Sequence, residues 1–346
     1  SLLAEHPNYA GPLGVTGAAA ANAVVSQADV VIAVGTRLED FTTGSWTLFS
    51  PDAQFIGVNA ARFDAIKHRA IPVVGDARET LMEWDAALGD WATEASWMAD
   101  VSQHRKDLDT FVSSRTRDDG QWPPSYAQLV GLVNESATPD DYVLTAAGGL
   151  PGELNINWMS KAVASFDCEY GFSCMGYEIS GAWGAAMGRP TGEVYSLVGD
   201  GSYLMMNSDI YASVLSGHKM ILVVCDNEGY AVIERLQTNQ GGASYNNMLA
   251  DSNGTGSDAR VDFAAHAKAL GALTHEVNSL DEFAQALEAA RAADRTTVIV
   301  TKVRAKDFTE GGAFWQVGVP EVSERPAVEA ARKSMDEGLA SQRQGV

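Results

Sequence analysis

The sequence predicts an α/β protein made of two doubly wound parallel-sheet domains, and three observations carry that reading. Short apolar runs that close on glycine or an acid recur at 28–35, 193–199 and 220–226, as strands buried on both faces do. Helix-patterned stretches separate these runs, and strand–helix alternation implies parallel pairing through crossovers. The chain has 346 residues, 46% of them hydrophobic, enough for about two domains with cores of their own.

The elements follow in order. A first domain over 1–88 has a helix at 17–27, strands at 28–35, 54–58 and 71–76, and a helix at 78–88. Residues 89–124, rich in Trp and charge and closing on Trp122-Pro123-Pro124, read as a helical linker. A second domain over 125–305 has strands at 141–145, 193–198, 220–225 and 297–301, and a helix from about 207 that stops before Gly217. Residues 237–258 are rich in Gln, Asn, Gly and Ser and read as a mobile loop. A tail over 306–346 ends in a helix, with Ser323 as N-cap and Pro326 in its first turn.

Composition narrows the function classes. Twenty-four basic against 45 acidic residues leave a net charge of −21, which repels nucleic acid and anionic membranes. Any phosphate site must therefore work through local devices. No apolar run approaches a membrane span, and the start of the chain lacks a signal-peptide pattern. It also lacks an initiator Met, so a preceding segment is expected. Cys168, Cys174 and Cys225 form no C-x-x-C pair, and the six histidines are scattered, so neither a disulfide framework nor a zinc site is expected. The chain reads as reduced and cytoplasmic.

The strongest local signal is Gly199-Asp200-Gly201-Ser202 at one strand end and Asn227 at the next. A strand–helix–strand crossover makes the two strands parallel, so both groups reach the C-terminal edge of one sheet, where open α/β sheets bind ligands. A lone G-D-G is also a common turn; the pairing at two strand ends gives it weight. The residue types suit magnesium, which takes oxygen ligands in octahedral geometry and keeps substrate phosphates in its shell. Asp200 offers a carboxylate, Asn227 an amide oxygen and Gly229 a carbonyl, leaving room for two diphosphate oxygens and a water. Gly201 admits close approach of the backbone, and Ser202 can present N–H groups to an anion.

These residues carry a resemblance. Gly199-Asp200-Gly201 followed by Asp226-Asn227 resembles the fingerprint of thiamine-diphosphate enzymes, which begins GDG and ends NN; here Asp226 replaces the first Asn. The resemblance implies thiamine diphosphate and Mg2+ as cofactors, with Asp200, Asn227 and Gly229 on the metal. The segment 174–179 is similar to the one that receives the aminopyrimidine, with Met175 propping the bent cofactor and the Ser173 carbonyl bonding its amino group. Gly148, Gly149 and Leu150 resemble the loop that cups the far phosphate, and Gly199, Gly201, Ser202 and Tyr230 complete the cofactor set. The helix at 181–188 is crowded with small residues, which implies close packing and makes it a candidate partner edge.

The first domain, through 14–17, 28–37 and 40–44, is similar to the middle domain of the acetolactate-synthase-like branch, and no Gly-rich dinucleotide fingerprint follows its strands. Within the branch, 35–45 and 314–323 resemble hydrolases of inositol catabolism. That implies hydrolytic cleavage of the carbon–carbon bond of a polyhydroxy cyclic 1,2-dione, trihydroxycyclohexane-1,2-dione, to 5-deoxy-glucuronate. Tyr230, Glu234, Gln237, Asn239, Gln240 and Asn246 are candidate substrate contacts. A 2-keto-acid carboligase or decarboxylase and a non-catalytic cofactor-binding subunit stand as alternatives. The family pattern places the glutamate that activates the cofactor in a pyrimidine-binding domain with no counterpart here, so no catalytic residue is assigned and the chain alone is expected to be inactive. The pattern also implies a homodimer or dimer of dimers, with neither nucleic acid nor membrane as partner.

Overall fold

The computed structural model describes residues 2–252, 260–309 and 311–345. Their elements, in chain order, are α1 (Ala19–Ser26), β1 (Val30–Val34), α2 (Asp40–Thr43), β2 (Gln54–Asn59), α3 (Arg62–Ala65), β3 (Ile71–Val74), α4 (Ala77–Leu88), α5 (Ala95–Thr116) and α6 (Tyr126–Ser136). Then come β4 (Tyr142–Thr145), α7 (Leu150–Asn157), β5 (Phe166–Cys168), α8 (Tyr177–Gly188), β6 (Val194–Gly199), α9 (Asp200–Met206), α10 (Ser208–Ser216) and β7 (Ile221–Asp226). The rest are α11 (Ala231–Asn239), α12 (Phe263–Ala269), β8 (Leu273–Val277), α13 (Leu280–Ala292), β9 (Thr297–Lys302) and α14 (Pro326–Ala340). Two units result, one of 7–111 with 311–345 and one of 2–6 with 112–309. The division falls within α5, inside the stretch expected as a linker. No described helix is long and apolar enough to cross a membrane.

In the first unit β1, β2 and β3 form a parallel sheet in that order. One face carries the core, where Ala33 and Phe55 meet Leu38, Trp46, Phe49, Ala53 and Ala70. Gly57 lets α3 lie directly on β2, because a Cβ there would stand 2.3 Å from the Ala65 carbonyl oxygen. On the other face Val30, Ile32, Val34 and Ile71 remain exposed. Asp76 caps α4 by accepting from the N–H groups of Arg78 and Glu79.

From 311 onward the tail belongs to this unit rather than standing apart. Trp315 packs on Phe41 with ring centroids 4.6 Å apart, Gln316 N donates to Ser45 Oγ, and Arg343 lies over the Phe55 ring. Buried Asn22 ties the start of the unit to the tail: its Oδ1 accepts from Gly14 N at 2.9 Å, and its Nδ2 donates to the carbonyls of Gly14 and Gly311 at 3.0 Å. The last helix begins at Pro326 with Arg325 as N-cap; Ser323, expected there, instead accepts from Arg325 N just outside the helix.

The second unit is built on a parallel six-stranded sheet in the order β5-β4-β6-β7-β9-β8. The central strands alternate between two cores. Val143, Tyr195, Leu197, Ile221, Val223, Cys225 and Ile299 face α6, α7 and α13, where Leu129, Leu154 and Phe283 receive them. Leu144, Val194, Val198, Leu222, Val224 and Val298 face Ile179 of α8, Tyr203 of α9 and Phe263 of α12. Burial on both faces is why these strands read as unbroken apolar runs. The edge strands β5 and β8 were not expected; they are only partly buried and carry Asp167, His275 and Glu276.

Three expectations need correction. The helix expected from about 207 is α10, ended by left-handed Gly217, but α9 precedes it and begins at Asp200 itself. The loop expected over 237–258 starts inside α11, and Met248 bridges antiparallel to Gly229; residues 253–258 lie outside the described residues. The small residues at 181–188 belong to α8, where a Cβ on Gly184 or Gly188 would meet nothing within 4 Å among the described residues. Close packing accounts for Gly181, where a Cβ would stand 2.9 Å from the Tyr177 ring, and for buried Ala182, but not for Gly184 or Gly188.

Asn22→Ala removes three buried hydrogen bonds, including those of the Gly14 N–H and the Gly311 carbonyl. It should cost about 2–4 kcal/mol in urea denaturation followed by tryptophan fluorescence. A loss below about 0.5 kcal/mol would show that the tail is held by its other contacts, such as Trp315 on Phe41 and Gln316 N on Ser45 Oγ, without help from Asn22.

Candidate cofactor site

Parallel pairing of β6 with β7 sets Gly199 opposite Cys225, so Asp200 and Asn227 leave the sheet at the same edge. Asp200 is 6% exposed. Its Oδ2 accepts from Gly229 N at 2.9 Å, while its Oδ1 is buried with no hydrogen-bond partner among the described residues. Asn227 repeats the pattern: Nδ2 donates to Tyr126 Oη at 2.9 Å, and Oδ1 is buried without a partner among the described residues. A buried acceptor left unpaired costs about 1–3 kcal/mol, so two of them on consecutive strand ends call for an electropositive occupant. No cluster of three or more His, Cys, Asp and Glu that could hold a metal occurs among the described residues. The donors here are one carboxylate and one amide oxygen, an all-oxygen set that suits a hard cation sharing its shell with phosphate and water.

Burial, then the nearby Asp226 charge, pushes the Asp200 carboxyl up to about 7. Asp226, standing where the resemblance has Asn, is itself paired: Oδ2 meets Lys302 Nζ at 2.6 Å and Oδ1 accepts from Glu228 N at 3.0 Å. Lys302 also reaches Glu228, which pairs in turn with Arg260. The substitution therefore anchors β7 to β9 and shapes the turn that follows.

That turn places Gly229. Its φ is +152°, and a Cβ would stand 2.4 Å from the Asn247 carbonyl oxygen. Its N–H is the group that meets Asp200. Tyr230 N donates to Asn247 O at 2.8 Å, and the Tyr230 ring lies over Gly201, where a Cβ would come within 2.7 Å of the ring and 3.6 Å of the Met175 methyl. Met175, Gly201 and Tyr230 are thus brought together around the G-D-G turn. Ser202 lies buried in the first turn of α9, not in a loop. Gly148 has φ +82° and open space at its Cβ position, as does Gly199. Gly149 faces Phe308, whose ring a Cβ would meet at 2.4 Å. Leu150 opens α7 and packs into the core instead of facing outward. Ser173 is exposed with φ +59° and shares no described contact with the others.

Of the candidate substrate contacts, Glu234 and Gln237 are linked through Asn247, whose Nδ2 donates to Glu234 Oε2 at 3.2 Å and to Gln237 Oε1 at 2.8 Å. Glu234 is buried, and its Oε1 has no partner among the described residues. Asn239 is exposed at the end of α11, followed by half-buried Gln240, and Asn246 has φ +55°.

Sequence reasoning passed over two residues. Tyr126, next to the capping box of Ser125 and Gln128, orients the Asn227 amide. Glu178 is wholly buried in the first turn of α8. The one available signal was an acid set in the apolar run Tyr177-Glu178-Ile179.

Comparison with known proteins gives concordant matches. Residues 1–84 match the central domain of thiamine pyrophosphate enzymes, and 152–301 match the C-terminal TPP-binding domain of the same enzymes. The chain is 35% identical to a 3D-(3,5/4)-trihydroxycyclohexane-1,2-dione hydrolase of Bacillus licheniformis, over 99% of this chain and 57% of that protein. It is likewise 35% identical to the protein of that name in Halalkalibacterium halodurans and 34% identical to that of Bacillus subtilis, each over 99% of this chain and 57% of the relative. The chain thus spans little more than half the length of these relatives.

The Asp200 carboxyl sits near 7 in the metal-free fold against an ordinary value of 3.8. Between those values the folded form holds more proton than the unfolded form, so its stability falls as pH rises through the window. In metal-free buffer D200N should abolish that fall and exceed wild type at pH 8 by about 1–3 kcal/mol, with the two converging toward pH 4. Urea titrations with EDTA at several pH values measure it; a D200N protein less stable than wild type at pH 8 would count against the buried-charge account.

Proposed function

Since the chain belongs to the thiamine-pyrophosphate enzymes, whose central and C-terminal domains it carries, we propose that it is the cofactor-holding part of a hydrolase of inositol catabolism. The proposed reaction cleaves the carbon–carbon bond between the two carbonyls of trihydroxycyclohexane-1,2-dione with water, giving 5-deoxy-glucuronate. The observation that carries the cofactor assignment is the pair of orphaned oxygens, Asp200 Oδ1 and Asn227 Oδ1, at the ends of two paired strands. The names of the relatives support the substrate class.

On this reading Asp200, Asn227 and the Gly229 carbonyl hold Mg2+. Gly148, Gly149, Gly199, Gly201, Ser202 and Tyr230 receive the diphosphate, with Leu150 fixing the start of α7 behind them. Ser173 and Met175 lie on the aminopyrimidine side. Thiamine diphosphate, when bound, supplies the electron sink that stabilises the carbanion released as the bond between the carbonyl carbons breaks. The chain's own residues supply charge and position. Ionised Asp200 balances the cation in a buried setting, and Tyr126 holds the Asn227 amide with its oxygen turned away from the phenol. Burial raises the Cys225 thiol beneath the edge, so it stays neutral and inert.

The reading includes a second copy or a pyrimidine-binding segment against α9 and α10, which leave Leu204, Met205, Met206, Tyr211 and Leu215 exposed. It includes a reducing, cytoplasmic setting, which suits three free thiols. No residue of this chain is assigned the cofactor-activating glutamate, and the chain by itself is expected to show no steady-state turnover.

The test uses the full-length protein with Mg2+ and thiamine diphosphate. Ring opening of the cyclic dione, followed by product mass and NMR, is expected; acetolactate or acetaldehyde from pyruvate with no action on the dione would replace this reading by a 2-keto-acid enzyme. Y126F should weaken Mg2+ about 2- to 10-fold, the worth of one hydrogen bond, in a titration of cofactor-dependent fluorescence quenching. Unchanged Mg2+ affinity would remove Tyr126 from the metal's support.

A further inference from the structure

Glu178 is fully buried, and three donors converge on its carboxylate. Oε1 accepts from Ala147 N at 3.1 Å, Oε2 accepts from Gly176 N at 2.8 Å, and the Ser202 side chain bonds the same group. No Lys or Arg pairs with it among the described residues. The donors lie on three separate stretches: the loop after β4, the entry to α8 and the first turn of α9. The same stretches carry Gly148 and Gly149, Met175, and Gly201. Each comes from a different part of the chain; Met205 and Met206 pack against Gly176 and the Met175 methyl lies near Gly201, but Glu178 is the side chain whose hydrogen bonds reach all three.

The local chemistry explains why an acid stands here. α8 starts from Gly176, with φ +96° and no side chain to cap the helix. Glu178, in the first turn, reaches back to the Gly176 N–H, a reciprocal cap without the usual partner. The helix N-terminus favours its negative charge. A carboxylate is acceptor-only and presents both oxygens to N–H groups. A glutamine of the same shape offers one acceptor and one donor, so it must set an NH2 against one of the two backbone N–H groups.

We propose that Glu178 is the positioning residue of the cofactor site: it holds the loop after β4, the entry to α8 and the start of α9 at their working separation before any ligand arrives. This rests on the cofactor reading above. Preorganisation of this kind lowers the ordering cost of binding, so its loss appears in cofactor affinity more than in turnover at saturation.

The experiment compares full-length wild type with E178Q, measuring the Kd of thiamine diphosphate at saturating Mg2+ by calorimetry, the Kd of inorganic diphosphate, and ligand-free Tm. For E178Q we expect a Kd for both ligands raised about tenfold or more, with kcat at saturating cofactor within about threefold of wild type. Wild-type affinity in E178Q, whatever its Tm, overturns the proposal, because a purely structural acid would move Tm alone. Hydrogen exchange on ligand-free wild type gives a second reading that does not depend on a variant folding: the amides of Ala147 and Gly176 should already be protected, and fast exchange until thiamine diphosphate is added overturns the proposal. If wild type itself binds no thiamine diphosphate, the cofactor reading has failed instead.

Discussion

The parallel pairing of β6 with β7 is the constraint on which the site depends. Their register, Gly199 against Cys225, brings an acid that opens one helix beside an amide that follows the next strand. Asp200 and Gly229 are 29 positions apart yet share a hydrogen bond, because one crossover returns the chain to the same edge. The helix–sheet layers make that edge hard to deform, since residues on both faces of β6 and β7 are locked into separate cores. Oxygens can stay unpaired there only because the surroundings cannot relax to cover them.

Electrostatics at that edge follow the same logic. A chain with a net charge of −21 is a poor long-range attractor for a diphosphate, so any attraction must be built locally. Lys302 and Arg260 are occupied by Asp226 and Glu228, which keeps those acids from adding fully to the negative potential. What the edge itself offers is a buried carboxylate and an oriented amide oxygen, which act on a cation rather than on the diphosphate.

Much of this was legible in the sequence, and the limits have physical causes. β4, β6, β7 and β9 are visible because strands buried on both faces must be apolar throughout; β5 and β8 are not, because an edge strand can carry Asp167 or His275 without penalty. Asp200 and Asn227 stand out because backbone geometry fixes their spacing. Tyr126 was invisible because its partner Asn227 lies 101 positions away, and Glu178 because its three donors come from a loop and two helix starts distant in sequence. The tail could be read as a helix but not placed, since its docking rests on single contacts such as Phe41 with Trp315.

The all-parallel sheet also bears on how the chain emerges from the ribosome. Among the described residues no pair of neighbouring strands forms a local hairpin, so every ladder waits for a later crossover. β7 carries the run Ile221-Leu222-Val223-Val224-Cys225, and the strand that covers its far edge, β9, joins it through Lys302 across 76 positions. While that stretch is being synthesised, β7 presents an open apolar edge of the kind that pairs with other chains. Until the residues of β9 have been made, nascent copies therefore leave that edge of β7 uncovered, the kind of exposure that chaperones shield during synthesis.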